Sequence, residues 1–143
     1  METSARNVFH GKISTIKPGA VNDEIVMTVE GGRSIVASIA KASTERLGLK
    51  EGKEAIALIK ATFVLLMKDA DNYLISTRNQ FSGKVSKISK NDLSAEVQID
   101  VPDCPGITAF ITLGSLNSLG IKEGDNVTAI VKAMNVIVAV PKK

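Results

Sequence analysis

Leu47-Gly48-Leu49-Lys50-Glu51-Gly52 returns 72 positions later as Leu119-Gly120-Ile121-Lys122-Glu123-Gly124. The same shift lays Ser4-Ala5-Arg6-Asn7-Val8-Phe9-His10-Gly11-Lys12 on Ser76-Thr77-Arg78-Asn79-Gln80-Phe81-Ser82-Gly83-Lys84, and Lys60-Ala61-Thr62-Phe63-Val64 on Lys132-Ala133-Met134-Asn135-Val136, with no gap between them. Residues 4–68 set against 76–140 give 23 identities in 65 positions, well above chance. Many of the remaining pairs are apolar exchanges such as Ile13/Val85, Ile25/Val97, Leu58/Ile130 and Leu65/Ile137. Self-similarity at a fixed period means one structural unit written twice.

Each copy reads mostly as strand. In the second, Phe81, Gly83, Val85 and Ile88 fall on one strand, and Ala95 to Val101 alternates apolar and polar residues on the next. Pro102-Asp103-Cys104-Pro105-Gly106, matched by Glu30-Gly31-Gly32-Arg33-Ser34, is rich in turn formers and reverses the chain into a third strand at Ile107 to Ile111. Thr112 to Leu119 and its partner Ala40 to Leu47 suit a short helix ended by Gly120 or Gly48 in the left-handed cap position. Asp125 to Ala133 and Asn135 to Val140 supply two closing strands. Five strands and one short helix per unit predict a mainly β protein of two tandem five-stranded OB-type barrels, at 4–70 and 74–141. Residues 69–75 leave almost no linker, so the units are expected to pack together. The last strand of the first unit, Thr62 to Met67, is apolar on both faces, which calls for cover from the other unit or another chain.

Composition narrows the chemistry. The 143 residues contain one histidine, one cysteine and no tryptophan, with 44% hydrophobic and 23% charged residues. His10 and Cys104 stand alone, so no clustered metal ligands and no internal disulfide are expected. No apolar run approaches the ~20 residues of a membrane span, and Met1-Glu2-Thr3-Ser4 does not read as a secretory leader. A cytoplasmic protein is expected. The net charge of +3 is spread evenly, ten Lys/Arg against nine Asp/Glu in residues 1–71 and eight against six in 72–143. Such a balance lacks the positive stripe that a nucleic-acid backbone demands and suits small anions better.

Two segments repeat where most polar positions diverge. Ser4-Ala5-Arg6 and Ser76-Thr77-Arg78 precede the first strand of each unit, and a hydroxyl, a guanidinium fork and free backbone N–H groups form a donor-rich nest for an oxyanion. The structural alternative is an arginine paired to a carboxylate and a serine capping a turn. Lys60 and Lys132 end the apolar runs Ala57-Leu58-Ile59 and Ala129-Ile130-Val131, where lysine needs an anionic partner or an outward path. The small Ala61 and Ala133 beside them let a ligand reach the backbone N–H groups there and at Thr62 and Met134. The turns at Ala20-Val21-Asn22 and Leu93-Ser94 could add amides to such a nest, though on sequence grounds alone a plain hairpin is the better reading there. Glu24 and Glu96 recur singly on strands, and one carboxylate per unit argues against paired acid–base catalysis. Phe9, Phe63, Tyr73, Phe81 and Phe110 are expected in a core or an interface rather than on a stacking platform.

Ser-Ala-Arg-Asn before Phe-His-Gly-Lys-Ile, Gly-Ala-Val-Asn-Asp-Glu, Leu-Gly-Leu-Lys-Glu-Gly and Leu-Ile-Lys-Ala-Thr together resemble the Mop domain of the molbindin family, also found in TOBE regions of molybdate-responsive regulators and transporter ATPases. The resemblance covers 4–68 and 76–140. It implies a non-enzymatic cytoplasmic protein that binds, stores and buffers molybdate, or tungstate in its place, at subunit interfaces of a homotrimer, in support of molybdenum homeostasis. The ligand groups it implies are Ser4, Ala5 and Arg6 of one unit with Lys60, Ala61 and Thr62 of a neighbour, and in the repeat Ser76, Thr77, Arg78, Lys132, Ala133 and Met134. No protein side chain is expected to ligate a metal directly, and neither nucleic acid nor membrane is an expected partner. An OB-type nucleic-acid-binding module and a purely structural oligomer remain the alternatives.

Overall fold

Alternating burial sets the strands: Ile25, Met27 and Val29 point into the core from one half of the chain and Ala95, Val97 and Ile99 from the other. The computed structural model describes residues 1–142. Its first half runs β1 (Asn7–Lys17), β2 (Asn22–Val29), β3 (Ser34–Ala40), α1 (Lys41–Leu47) and β4 (Glu54–Ile59), then a 3₁₀ turn at Ala61–Phe63 and a short β5 (Leu65–Met67). The second half repeats the series as β6 (Gln80–Lys90), β7 (Ser94–Asp100), β8 (Ile107–Thr112), α2 (Leu113–Leu119), β9 (Asn126–Ile130), a 3₁₀ turn at Ala133–Asn135 and β10 (Ile137–Ala139). Both helices stop at a left-handed glycine, Gly48 (φ 63°) and Gly120 (φ 62°), which return their N–H groups to carbonyls of the last turn. The mainly β architecture, with two five-stranded sheets and one short helix apiece, is the one the repeat predicts.

The closing strands depart from the sequence expectation, because they are exchanged. The sheets run β10-β4-β1-β2-β3 and β5-β9-β6-β7-β8. Leu65 of β5 lies opposite Ile130 in the second sheet, and Ile137 of β10 lies opposite Leu58 in the first. The 3₁₀ turns explain the crossing: Ala61–Phe63 packs on β8 and Ala133–Asn135 on β3, so each carries its chain onto the opposite sheet instead of folding it back. The exchange covers one side of the apolar run, burying Val64 and half-burying Leu66, while Phe63 and Leu65 remain exposed.

A pseudo-two-fold relation governs what lies between the sheets. The rings of Phe9 and Phe81 stack with centroids 6.2 Å apart and planes 12° from parallel. On either side of them a buried asparagine grips the backbone of the other half. Asn79 Oδ1 accepts from Val36 N–H at 2.8 Å while its Nδ2 donates to Val36 O at 2.7 Å. Asn7 does the same to Thr108, at 2.7 and 2.9 Å, and also donates to Ile59 O at 3.2 Å. A bulge at the same place in β1 and β6 is filled by Ser14 and Ser86, whose hydroxyls donate to Val26 O and Gln98 O.

The halves differ at one buried point. Asp23, Lys41 and Thr44 of the first occupy the positions of Ala95, Leu113 and Leu116 in the second. Buried Asp23 meets Lys41 Nζ at 3.0 Å and accepts from Gly19 N–H at 3.1 Å. The Thr44 hydroxyl, buried with no partner in strict hydrogen-bond geometry, faces the same carboxylate. That hydroxyl, the Gly19 amide and the Lys41 ammonium hold the Asp23 carboxyl below the usual carboxylate range. A lowered folded value means stability present above pH about 4, the unfolded value, and lost as pH falls through the folded one. Thermal melts between neutral and acid pH are therefore expected to show a decline below that point that Asp23→Asn lacks. Parallel declines in both proteins would refute this.

Candidate functional site

Both donor segments leave the same end of one strand pair. Asn7 of β1 lies opposite Ile59 of β4, so Ser4-Ala5-Arg6 and Lys60 extend side by side beyond the ladder. In the second half Gln80 lies opposite Ile130, Val131 N–H donates to Asn79 O at 3.1 Å, and Thr77 Oγ1 donates to Val131 O at 2.7 Å. Within one chain the fold sets Lys60, Ala61 and Thr62 beside the Ser-Ala-Arg segment of their own repeat.

The result is clearest in the second half. Ser76, Thr77, Arg78, Lys132, Ala133 and Met134 line a cavity of about 310 Å³, completed from the other half by Glu24, Val36 and Ser38. Lys132 is extended (φ −70°, ψ 139°) and starts the 3₁₀ turn, within which the first backbone bond runs from Asn135 N–H to Lys132 O at 2.9 Å. The N–H groups of Ala133 and Met134 thus have no carbonyl inside the turn. Lys60, Ala61 and Thr62 repeat this, with Phe63 N–H donating to Lys60 O at 2.9 Å.

Some expected donors are already engaged. The Thr77 hydroxyl is held by Val131 O and by Asn79 N–H at 3.2 Å, so it braces the segment. Ala5 N–H donates to Thr3 Oγ1 at 3.1 Å. Lys60 Nζ rests 5.8 Å over the Phe63 ring. The turns lie elsewhere: Leu93 N–H and Ser94 N–H donate to Asn91 Oδ1 at 2.8 and 2.9 Å, while Val21 O and Leu93 O accept from Lys41 N–H and Leu113 N–H at the helix starts. Ala20, Val21, Asn22, Leu93 and Ser94 do not line the cavity.

Each arginine is paired across the two halves, Arg6 to Glu96 and Arg78 Nη2 to Glu24 Oε2 at 2.7 Å. The recurrence of Arg and Glu at matching places in both copies was the signal for these pairs. The aromatic expectation holds for Phe9 and Phe81, which are buried, whereas Phe63, Tyr73 and Phe110 are exposed on the single chain. Burial pushes the half-buried Cys104 thiol up, away from a reactive thiolate. Among the described residues no cluster of His, Cys, Asp or Glu is arranged to hold a metal, and no helix is long and apolar enough to cross a membrane.

Comparison with known proteins gives this geometry a context. The TOBE domain model matches the chain twice, at residues 3–66 and 75–138. A molybdenum transport protein ModE from Herbaspirillum seropedicae is 39% identical over 140 residues, 98% of this chain and 52% of that protein. The molybdenum-pterin-binding protein MopA of Rhodobacter capsulatus is 38% identical over 141 residues, 99% of this chain and 53% of its own length. The chain thus spans about half the length of the curated relatives it matches. Among solved structures, the cytoplasmic molybdate-binding protein ModG with molybdate bound superposes with a TM-score of 0.93 at 40% identity, covering 99% of this chain and 100% of that one.

Proposed function

The chain belongs to the TOBE-domain family, with two copies in tandem, and we propose that it binds molybdate, with tungstate as a substitute, as a non-enzymatic cytoplasmic store and buffer for molybdenum homeostasis. The observation that carries this reading is the cavity where Ser76, Arg78, Lys132 and the leading N–H groups of a 3₁₀ turn converge, within a fold that follows ModG along its whole length. Molybdate is a tetrahedral dianion with four acceptor oxygens and no proton at neutral pH, and cations with backbone donors complement it. Sulfate shares its charge and shape but has shorter bonds, so discrimination rests on cavity size held by rigid walls.

The proposed ligand groups are Ser4, Ala5, Arg6, Lys60, Ala61 and Thr62 in the unit at 4–70, and Ser76, Thr77, Arg78, Lys132, Ala133 and Met134 in the unit at 74–141. Thr77 and Ala5 contribute by shaping the segment. The working assembly we assign is a homotrimer in which further copies wall off these open sites. Exposed Leu65, Met134 and Ile137 beside them support that cover. The even charge distribution favours the small oxyanion over nucleic acid or a membrane surface.

Calorimetric titration of molybdate in excess sulfate, with the particle mass measured on the same sample, tests the reading. Saturable heat that survives sulfate, in a trimer, is expected. Absent heat, or heat erased by sulfate, would leave only a generic anion patch.

A further inference from the structure

The guanidinium groups of the two sites are not vacant. Arg78 holds Glu24 at 2.7 Å and Arg6 holds Glu96, each carboxylate reaching over from the opposite repeat. Glu24 itself lines the cavity that contains Arg78 and Lys132. A carboxylate beside a dianion repels it, so Glu24 cannot stay on Arg78 once molybdate takes the fork. Nor is it fixed there: the Arg78 and Glu24 side chains are 61% and 40% exposed, and ion pairs so accessible to water are weak. Glu24 lies opposite Ser38 in the β2–β3 ladder, close to the cavity mouth, and has solvent to turn into.

Resting on the molybdate reading, we propose that Glu24 and Glu96 are displaceable internal counter-anions that set the affinity of the two sites and the charge an incoming anion must carry. In the empty protein each carboxylate neutralises its arginine, and Glu24 shares with Arg78 the cavity an anion would enter. An arriving anion exchanges with it. A monoanion replaces one negative charge by another and gains little, whereas a tetrahedral dianion brings a second charge to the neighbouring lysine and to the backbone donors. The two gates differ in stiffness, since Arg6 and Glu96 are less exposed than Arg78 and Glu24. Glutamate and arginine recur together in both copies, although the residues just before the glutamate, Asn22-Asp23 against Ser94-Ala95, have diverged.

The test is titration of molybdate, and separately of perrhenate, a tetrahedral monoanion, into the wild type and into Glu24→Gln/Glu96→Gln. Melting temperature and particle mass are followed on each sample. Removing the carboxylate that an anion must otherwise displace from a weak, accessible ion pair is expected to tighten molybdate by about two- to fivefold. The variant is also expected to admit perrhenate, which the wild type excludes at concentrations that saturate it with molybdate. Equal or weaker molybdate binding by a folded variant, with the wild type binding normally, would make the carboxylates mere clamps between the repeats and overturn this proposal alone. Wild-type protein that takes perrhenate as tightly as molybdate would overturn it without any variant. If neither protein binds molybdate, the functional reading fails and the gate falls with it.

Discussion

The double variant Arg6→Ala/Arg78→Ala is expected to lose tight molybdate binding while melting close to the wild type. Each site would forfeit a guanidinium fork, and charge-assisted hydrogen bonds contribute about 1.5–3 kcal/mol apiece. Two per arginine give a loss of about a hundredfold or more in Kd. A second effect adds to it, because Glu24 and Glu96 would be left without partners beside the anion. Stability should change little, since accessible ion pairs are worth about 0–1 kcal/mol. Calorimetric titration alongside a thermal melt reads both quantities. Affinity retained within a few-fold would remove the arginines from the site, and with them the assignment of Ser4-Ala5-Arg6 and Ser76-Thr77-Arg78.

The largest expected loss of stability lies between the sheets, at Asn79→Ala. Asn79 is 1% exposed, and its amide satisfies both the N–H and the C=O of Val36. Truncation strands those two backbone groups away from water, at about 1–3 kcal/mol each. Domains of this size shift by roughly 2–4 °C per kcal/mol, so scanning calorimetry should record a fall of order 10 °C. Asn79→Asp supplies the informative control. Its carboxylate still accepts from Val36 N–H but turns an acceptor toward Val36 O, so it is expected to rescue nothing. A variant melting within about 2 °C of wild type, against the same scale, would show that the clamp is dispensable. Arg78 follows directly on the chain from Thr77, whose hydroxyl accepts the Asn79 N–H, so loosening the clamp is also expected to weaken binding.

Much of this architecture is legible in the amino-acid sequence because its determinants are local. Gly48 and Gly120 end helices by their own backbone freedom, and the alternation from Ala95 to Val101 needs no partner to be recognised. The exchange of β5 and β10 is hidden for a physical reason. Leu65 and Ile137 are interchangeable apolar residues, as are Leu58 and Ile130, so a closing strand satisfies either sheet equally well and the pattern holds no preference. Only the 3₁₀ turns at Ala61–Phe63 and Ala133–Asn135, packed on β8 and β3, break the tie, and three-residue turns leave no periodic trace. The donor segments were visible through repetition. Their pairing with Glu24 and Glu96 was not, because residues 54 and 90 positions apart meet only after the halves have docked.

The traded strands also bear on how the molecule comes into being. Residues 137–139 complete the sheet that begins at Asn7, so on the ribosome β4 waits with a bare flank until nine other strands have been made. Leu65–Met67, emerging soon after β4, must pass over that vacant flank and await β9. Neither half is a finished object that later meets its neighbour; each is the other's last missing piece. Maturation is therefore a single closing event, and a nascent chain stalled before Ile137 would present a sticky edge to whatever strand passes nearby.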